Sequence, residues 1–401
     1  MAKKKLNESQ IGLMDCLSSA LFSNYETDIS LSDQMANEAM LQSVFSIIYP
    51  CFNEKKFEQH YLACIKENIK LELANVHLHE IFTRNNIPYC IIKGYAAARF
   101  YNDPLLRVSC DIDFLVEPEN LKKAKHVLTE EGFSKTGKNS HHISYINNDI
   151  TYEMHFTIAG IPDGAVGDDV RDMVSKIVEN RQLFSCVSGD FYIPSDFDHG
   201  LIILIHTARH LINSGIGLKH VCDWAVFINH FTEEEFINIF KEKLVKIGLW
   251  TWCVTLTALC EKYLNLKHFS FTEKPDDAYL ELLLIDIFES GTFGIKDRSR
   301  LHAAKLITDD TTANVEDVNY FTRLCRHFSK KAKSEYKFAK FKLLLPLAML
   351  FVAFRFIFDV LRGKRPKINF AQTFSKAQER RNIYRKLRLF EVQNKWEKRR
   401  K

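Results

Sequence analysis

Tyr89-Cys-Ile-Ile-Lys-Gly-Tyr95, followed by Arg107-Val-Ser-Cys-Asp-Ile-Asp-Phe-Leu-Val116, is the stretch on which the reading of this chain turns. Asp111 and Asp113 stand two apart in an apolar run. On a β-strand, residues i and i+2 share a face. Both carboxylates therefore project together, while Ile112, Phe114 and Val116 take the buried side. Paired negative charge on a buried strand is costly unless a cation neutralises it. The usual one is a divalent metal with oxygen ligands, most often Mg2+. Lys93 and Arg107 are the charges one would place against a phosphate. The constellation predicts a metal-dependent, phosphate-handling site.

Local patterns around this stretch build a small α/β unit. Apolar residues recur at helical spacing over 31–86, and Pro88 ends the run. Tyr89–Ile92 reads as a short strand, 94–101 as a short helix and Cys110–Val116 as the acidic strand. A helix opens at Pro118 and closes at Gly132. His142–Ile146 and Ile150–Phe156, separated by Asn147-Asn148-Asp149, form a predicted hairpin. On its second strand Glu153 and His155 share a face, and Glu153 is the third acid that an Asp-x-Asp strand needs beside it. The order describes a small mixed sheet with helices on one side. Beyond residue 196 the pattern is helical: 198–211, 218–229, 233–247, 250–264 and 278–290, with mixed loop and helix over 294–330.

At 401 residues the chain can hold two or three domains. The basic start Met-Ala-Lys-Lys-Lys precedes no adequate apolar segment or cleavage site, so a secretory signal is not expected. Ten cysteines are scattered without a C-x-x-C pair, which predicts reduced thiols and a cytoplasmic location. The net charge of +5 hides a split: residues 330–401 carry 22 Lys/Arg against 5 Asp/Glu, and the remainder is mildly acidic.

These residues resemble the nucleotidyltransferase superfamily with a β-polymerase-like minimal core, and more narrowly the bacterial uncharacterised nucleotidyltransferases. The resemblance rests on Ile-Ile-Lys-Gly at 91–94, Arg107 with Asp-Ile-Asp-Phe-Leu-Val at 111–116, and Tyr-Glu-Met-His at 152–155. It continues through His206-x-x-x-His210, Gly-Ile-Gly-Leu-Lys at 215–219, Asp223-Trp224 and Gly291-x-Phe-Gly294. One departure stands out: the superfamily's Gly-Ser pair is missing, since Tyr95 follows Gly94. The resemblance implies that Asp111 and Asp113 hold two Mg2+ ions, with Glu153 as third ligand and proton acceptor. Lys93, Arg107 and backbone amides after Gly94 would bind phosphate oxygens of an NTP donor. The implied reaction moves a nucleoside monophosphate to a hydroxyl acceptor and releases pyrophosphate. Association of the family with polysaccharide gene clusters implies a sugar or glycan precursor as acceptor. Two rivals remain: an Asp-x-Asp glycosyltransferase, and a catalytically degenerate nucleotide-binding or membrane-associated protein.

For His155, packing competes with a role at the substrate cleft. His206 and His210, at i and i+4, have a spacing that suits zinc. The acid of a metalloprotease is absent from His-Thr-Ala-Arg-His, however, and a third ligand would have to be His220 or Asp223. The preferred reading turns this helix toward a substrate cleft, with Arg209 or His210 meeting substrate and Lys219 and Asp223 nearby. His141 and His142 read as surface or cleft-lining residues.

In the tail, Leu343–Phe354 is an uncharged run of 12 residues, short of the roughly 20 that span a bilayer. With basic flanks it suits either an anionic membrane surface or a terminal helix packed on the core before a solvated basic tail. Few aromatics accompany the basic residues, so nucleic acid is not favoured. The expected organisation is an N-terminal helical region (1–84), an α/β (α+β) nucleotidyltransferase core with a small mixed sheet (85–195), a larger helical domain (196–329) and a basic C-terminal helix and tail (330–401).

Overall fold

The computed structural model describes residues 5–273, 275–297, 300, 325, 328–329, 331–333, 335–362, 378 and 380–392. Most of the 294–330 stretch, expected to mix loop and helix, lies outside the described residues.

Five strands form a mixed sheet in the order β1-β2-β5-β4-β3. They are β1 (Cys90–Ile91), β2 (Asp111–Leu115), β3 (Ser134–Lys138), β4 (His142–Asn147) and β5 (Ile150–His155). The β2–β5 pair is parallel, with Asp113 opposite Glu153; the other pairings are antiparallel. The predicted hairpin is β4–β5. Its two turn residues, Asn148 and Asp149, both have positive φ (48° and 61°), the geometry whose twist matches that of the flanking strands.

Strand alternation makes this sheet one-sided. Ile112, Phe114, Ile143, Tyr145, Tyr152 and Met154 share a core with Leu78, Ile81 and Phe82 of α3 (Glu58–Arg84) and with Val127 and Leu128 of α4 (Leu121–Glu130). The alternate residues, among them Asp111, Asp113, His142, Glu153 and His155, take the opposite face. Three elements had no strong sequence pattern: β3, helix α5 (Ala165–Val174) and the two-stranded hairpin β6 (Gln182–Cys186) and β7 (Gly189–Ile193). Of these, β7 adds Phe191 and Ile193 to the sheet's core.

The second core is helical. It joins α1 (Glu8–Phe22) and α2 (Asp33–Leu41) to α6 (Asp196–Asn213), α7 (Leu218–Asn229), α8 (Trp250–Leu264) and α9 (Asp277–Ser290). The segment 233–247, read as one helix, contains a π-turn over Ile237–Lys241. Two buried indoles cross-link the bundle: Trp224 donates to Thr257 Oγ1 (3.0 Å) and Trp252 to Thr207 Oγ1 (3.1 Å). The region 1–84 is thus divided between two cores, because α1 and α2 bury their apolar faces against the bundle whereas α3 buries its own against the sheet.

The C-terminal segment departs from the solvated-tail expectation. Ile383, Tyr384, Leu387 and Leu389 are buried in the helical core. Buried Arg380 donates from Nη2 to the last-turn carbonyls of Leu211 (3.1 Å) and Ile212 (3.2 Å) on α6, and the Tyr384 hydroxyl donates to Asp286 Oδ2 (2.7 Å). Helix C-termini leave carbonyls without intrahelical partners, and a guanidinium satisfies them well. Arg300 pairs with the same Asp286.

Replacing Asp286 with alanine leaves buried Arg300 without its carboxylate. The expected loss is about 3–5 kcal/mol of unfolding free energy, read by urea denaturation. An unchanged midpoint would show that this network does not hold the C-terminal segment in place.

Candidate active site

A cleft of about 450 Å³ separates the open face of the sheet from α6 and α7. Every residue singled out from the sequence lines it: Lys93, Gly94, Arg107, Asp111, Asp113, Glu153 and His155 from the sheet side, and His206, Arg209, His210, Lys219 and Asp223 from the helices.

Asp113 is buried and meets two nitrogen groups. Lys93 Nζ lies 2.8 Å and His155 Nε2 2.7 Å from its Oδ1. Burial works against ionisation, but Lys93 and His155 overcome it and hold Asp113 well below the ordinary carboxylate range. Asp111 lacks such partners among the described residues. Burial and the Asp113 charge push it up to about 6, so of the two it keeps its proton longer. Burial pulls His155 down, yet its bonds to Asp113 and Glu153 leave it above the usual imidazole range. Nδ1 of His155 is buried without a partner among the described residues.

Glu153 has a partner that the sequence reading passed over. His142, opposite His155 in the β4–β5 register, places Nδ1 3.1 Å from Glu153 Oε2. The Asn139 amide donates to Nε2 of His142 (2.8 Å), and its Oδ1 accepts the backbone amides of His141 and His142 (2.9 and 2.8 Å). With Asn139 pinned in this way, His142 carries its proton on Nδ1 and donates to Glu153. The Asn139-x-x-His142 spacing ahead of the hairpin was the available signal. It was weak, because it looks like any polar strand start.

Arg107 is placed otherwise than expected. Its guanidinium is bidentate to Asp223, with Nε to Oδ1 at 3.0 Å and Nη2 to Oδ2 at 2.7 Å, and both groups are buried. The Tyr101 hydroxyl also donates to Asp223 (2.8 Å). A guanidinium held on both arms is committed to joining β2's approach to α7, which corrects the expectation that it stands free for phosphate. Of the amides after Gly94, those of Ala96, Ala97 and Ala98 are likewise used, bonding to the carbonyls of Lys93 and Gly94. A serine does stand beside Gly94 in space: a Cβ at Gly94 would lie 3.7 Å from Ser109 Oγ, which accepts from Arg107 Nη1 (2.8 Å).

Across the cleft, Lys219 is 7% exposed, and the hydrogen bond of its ammonium among the described residues is a 3.5 Å contact to the Val108 carbonyl. Burial, then the Arg107 charge, bring it down to about 8. Around it, His206, His210 and His220 cluster with ring centres 4.4–6.3 Å apart under Phe293, a residue at φ 54°. Among the described residues, the group of three with donor atoms within 4.8 Å of one another is His142, Glu153 and His155, not the His206–His210 pair with a third ligand.

An open sheet face with three carboxylates in adjacent registers, facing cations across a cleft, is the arrangement of an α/β enzyme that handles phosphate. The chain belongs to the uncharacterised nucleotidyltransferase family, which matches residues 52–265, just over half of its length. It is therefore a nucleotidyltransferase, with an NTP as substrate. Among curated proteins, none matches the chain.

The cleft histidines set an acid limit on stability. Burial lowers His199 and His220 to about 3 and His206 and His210 well below the ordinary 6.5. The unfolded chain takes up these protons first, so stability falls as pH drops from 6.5 toward 3. Urea midpoints should decline over that range, and less steeply in His199→Phe. A flat profile would contradict the neutral, buried imidazoles.

Proposed function

We propose that Asp111, Asp113 and Glu153 hold divalent metal, Mg2+ in the simplest case, and carry transfer of a nucleoside monophosphate from an NTP to a hydroxyl acceptor. The observation that carries this reading is the parallel β2–β5 register, which sets Glu153 directly beside Asp113 on the cleft face. The donor set fits a cation, because three carboxylates line the same wall of the cleft, beside Lys93 and His155. A bound divalent ion would neutralise phosphate charge and lower the pKa of the attacking hydroxyl.

The protein groups then have distinct tasks. Glu153, oriented by His142, accepts the proton of the acceptor hydroxyl as its oxygen bonds to the α-phosphorus. The bond from that phosphorus to the bridging oxygen breaks, and pyrophosphate leaves with the electron pair. Lys93, released from Asp113, and Lys219 supply charge to the triphosphate, with Ser109 as a hydroxyl contact near Gly94. Arg209 and His210 face the acceptor side. Arg107 and Asp223 position the two walls. A sugar or glycan precursor is the acceptor we favour.

Thermal shifts with ATP, CTP, GTP and UTP plus Mg2+ test the donor site. One nucleotide should stabilise the wild type in a metal-dependent way and fail to stabilise Asp111→Ala/Asp113→Ala. Asp113→Asn should cut pyrophosphate release by at least about a hundredfold with the fold retained by circular dichroism. Full activity in that variant would end the metal reading.

We propose further that α10 (Leu345–Leu361) rests on an anionic membrane from the cytoplasmic side. Leu347, Leu350, Phe351, Phe354 and Phe358 share one helix face and are all exposed, whereas Ala348 and Val352 on the other side pack with Ala332 and Ala339. No helix among the described residues is long and apolar enough to cross a membrane. An apolar stripe in a segment with 22 basic residues against 5 acidic ones suits an interfacial position. Wild-type protein should float with vesicles containing phosphatidylglycerol. Phe351→Ser/Phe354→Ser should bind at least about tenfold more weakly, and equal flotation would refute the assignment.

A further inference from the structure

The carboxylates at the head of β2 and β5 do not stand alone. His155 Nε2 lies 2.7 Å from Asp113 Oδ1 and 3.5 Å from Glu153 Oε2, between the two acids that lead the proposed metal site. Neighbouring ligands in an octahedral shell with bonds of about 2.1 Å are separated by about 3.0 Å. The imidazole nitrogen thus already lies at about the spacing of a neighbouring ligand from one oxygen of each carboxylate.

A hydrogen bond has a similar length, so the surroundings must decide which imidazole can ligate. His142 is fixed as a donor, because Asn139 occupies its Nε2 and is itself held by two backbone amides. Its Nδ1 proton has no reason to leave. Nothing pins His155 in this way. Among the described residues its Nδ1 lacks a partner whether that atom carries the proton or the lone pair, so it does not choose between tautomers. Its Nε2 faces Asp113 and Glu153, the side on which a dication held by those acids would lie.

We propose that the metal site contains a nitrogen ligand: Nε2 of His155 coordinates the cation together with Asp113 and Glu153, while His142 orients Glu153 from outside the shell. The inference rests on the carboxylate metal site proposed above. Binding then exchanges the proton on Nε2 for the metal, and the displaced proton leaves to solvent. Lys93 gives up its contact with Asp113 and turns to phosphate. An imidazole in the shell moves the preference from Mg2+, which takes oxygen ligands, toward Mn2+, Fe2+ or Co2+.

Mn2+ alone, added to the full chain, is the probe. Electron paramagnetic resonance titration measures binding, and electron spin-echo modulation detects directly coordinated imidazole nitrogen. Wild type and His142→Gln should both show the nitrogen modulation, and His155→Gln should lose it and bind Mn2+ at least tenfold more weakly. Labelling histidine with 15N in the wild type should convert the signal without any substitution, so the result stands even if His155→Gln folds poorly. Mn2+ bound in an Asp113-dependent manner with no imidazole nitrogen would overturn this inference and leave the carboxylate site intact. Modulation that survives in His155→Gln would overturn it equally. Mn2+ binding that persists unchanged in Asp113→Asn would instead overturn the underlying site.

Discussion

A bidentate ion pair between Arg107 and Asp223 ties the strand that bears the acids to the helix that forms the far wall of the cleft. Both groups are buried, and the pair is completed by the Tyr101 hydroxyl and by Ser109 on the third guanidinium arm. Removing one partner would leave the other charged in a low dielectric, so the arrangement is effectively all or none. The cleft exists because two separately built cores are held apart at a set distance, and this pair is a polar link between them, beside that of Arg99 to Asp196. Secondary braces act in the same direction. Asn68 on α3 grips the loop before β2 through Leu105 and Ser109, and Gln42 accepts the Leu218 amide at the start of α7.

Within the cleft, charge is distributed unevenly. Lys93 and His155 both sit on Asp113, and His142 is given to Glu153, which leaves Asp111 as the acid without a close nitrogen partner among the described residues. On the opposite wall, the buried Lys219 ammonium makes, among the described residues, a long contact to a carbonyl and lies 5.6 Å from the Phe293 ring centre, beside imidazoles that burial holds below their ordinary range. An anionic ligand entering between these walls meets the Lys219 ammonium on one side and a set of carboxylates on the other. That asymmetry suits a nucleoside triphosphate, whose charge lies at one end.

Much of the sheet was readable because its signals are local. The two-residue period put Asp111 with Asp113, and Glu153 with His155, on shared faces, and Asn148-Asp149 marked the hairpin between β4 and β5. The hairpin β6–β7 and strand β3 were not readable. Ser-Lys-Thr-Gly-Lys carries almost no apolar pattern, and β3 is held by pairing with β4 rather than by burial. The division of residues 1–84 between two cores was equally hidden, since an amphipathic helix shows that it has an apolar face but not which partner covers it.

By itself the sequence determined the identity of the acids, their common face and the presence of helices able to close a cleft, because periodicity and residue chemistry act over a few positions. Only the tertiary structure decided what each charged group pairs with. Arg107 and Asp223 are 116 residues apart, and their pairing turns a candidate phosphate contact into a structural link. His142 became the orienting partner of Glu153 through the β4–β5 register and the Asn139 brace. Electrostatic roles depend on distances across the fold and on exclusion of water, and neither is written in local sequence.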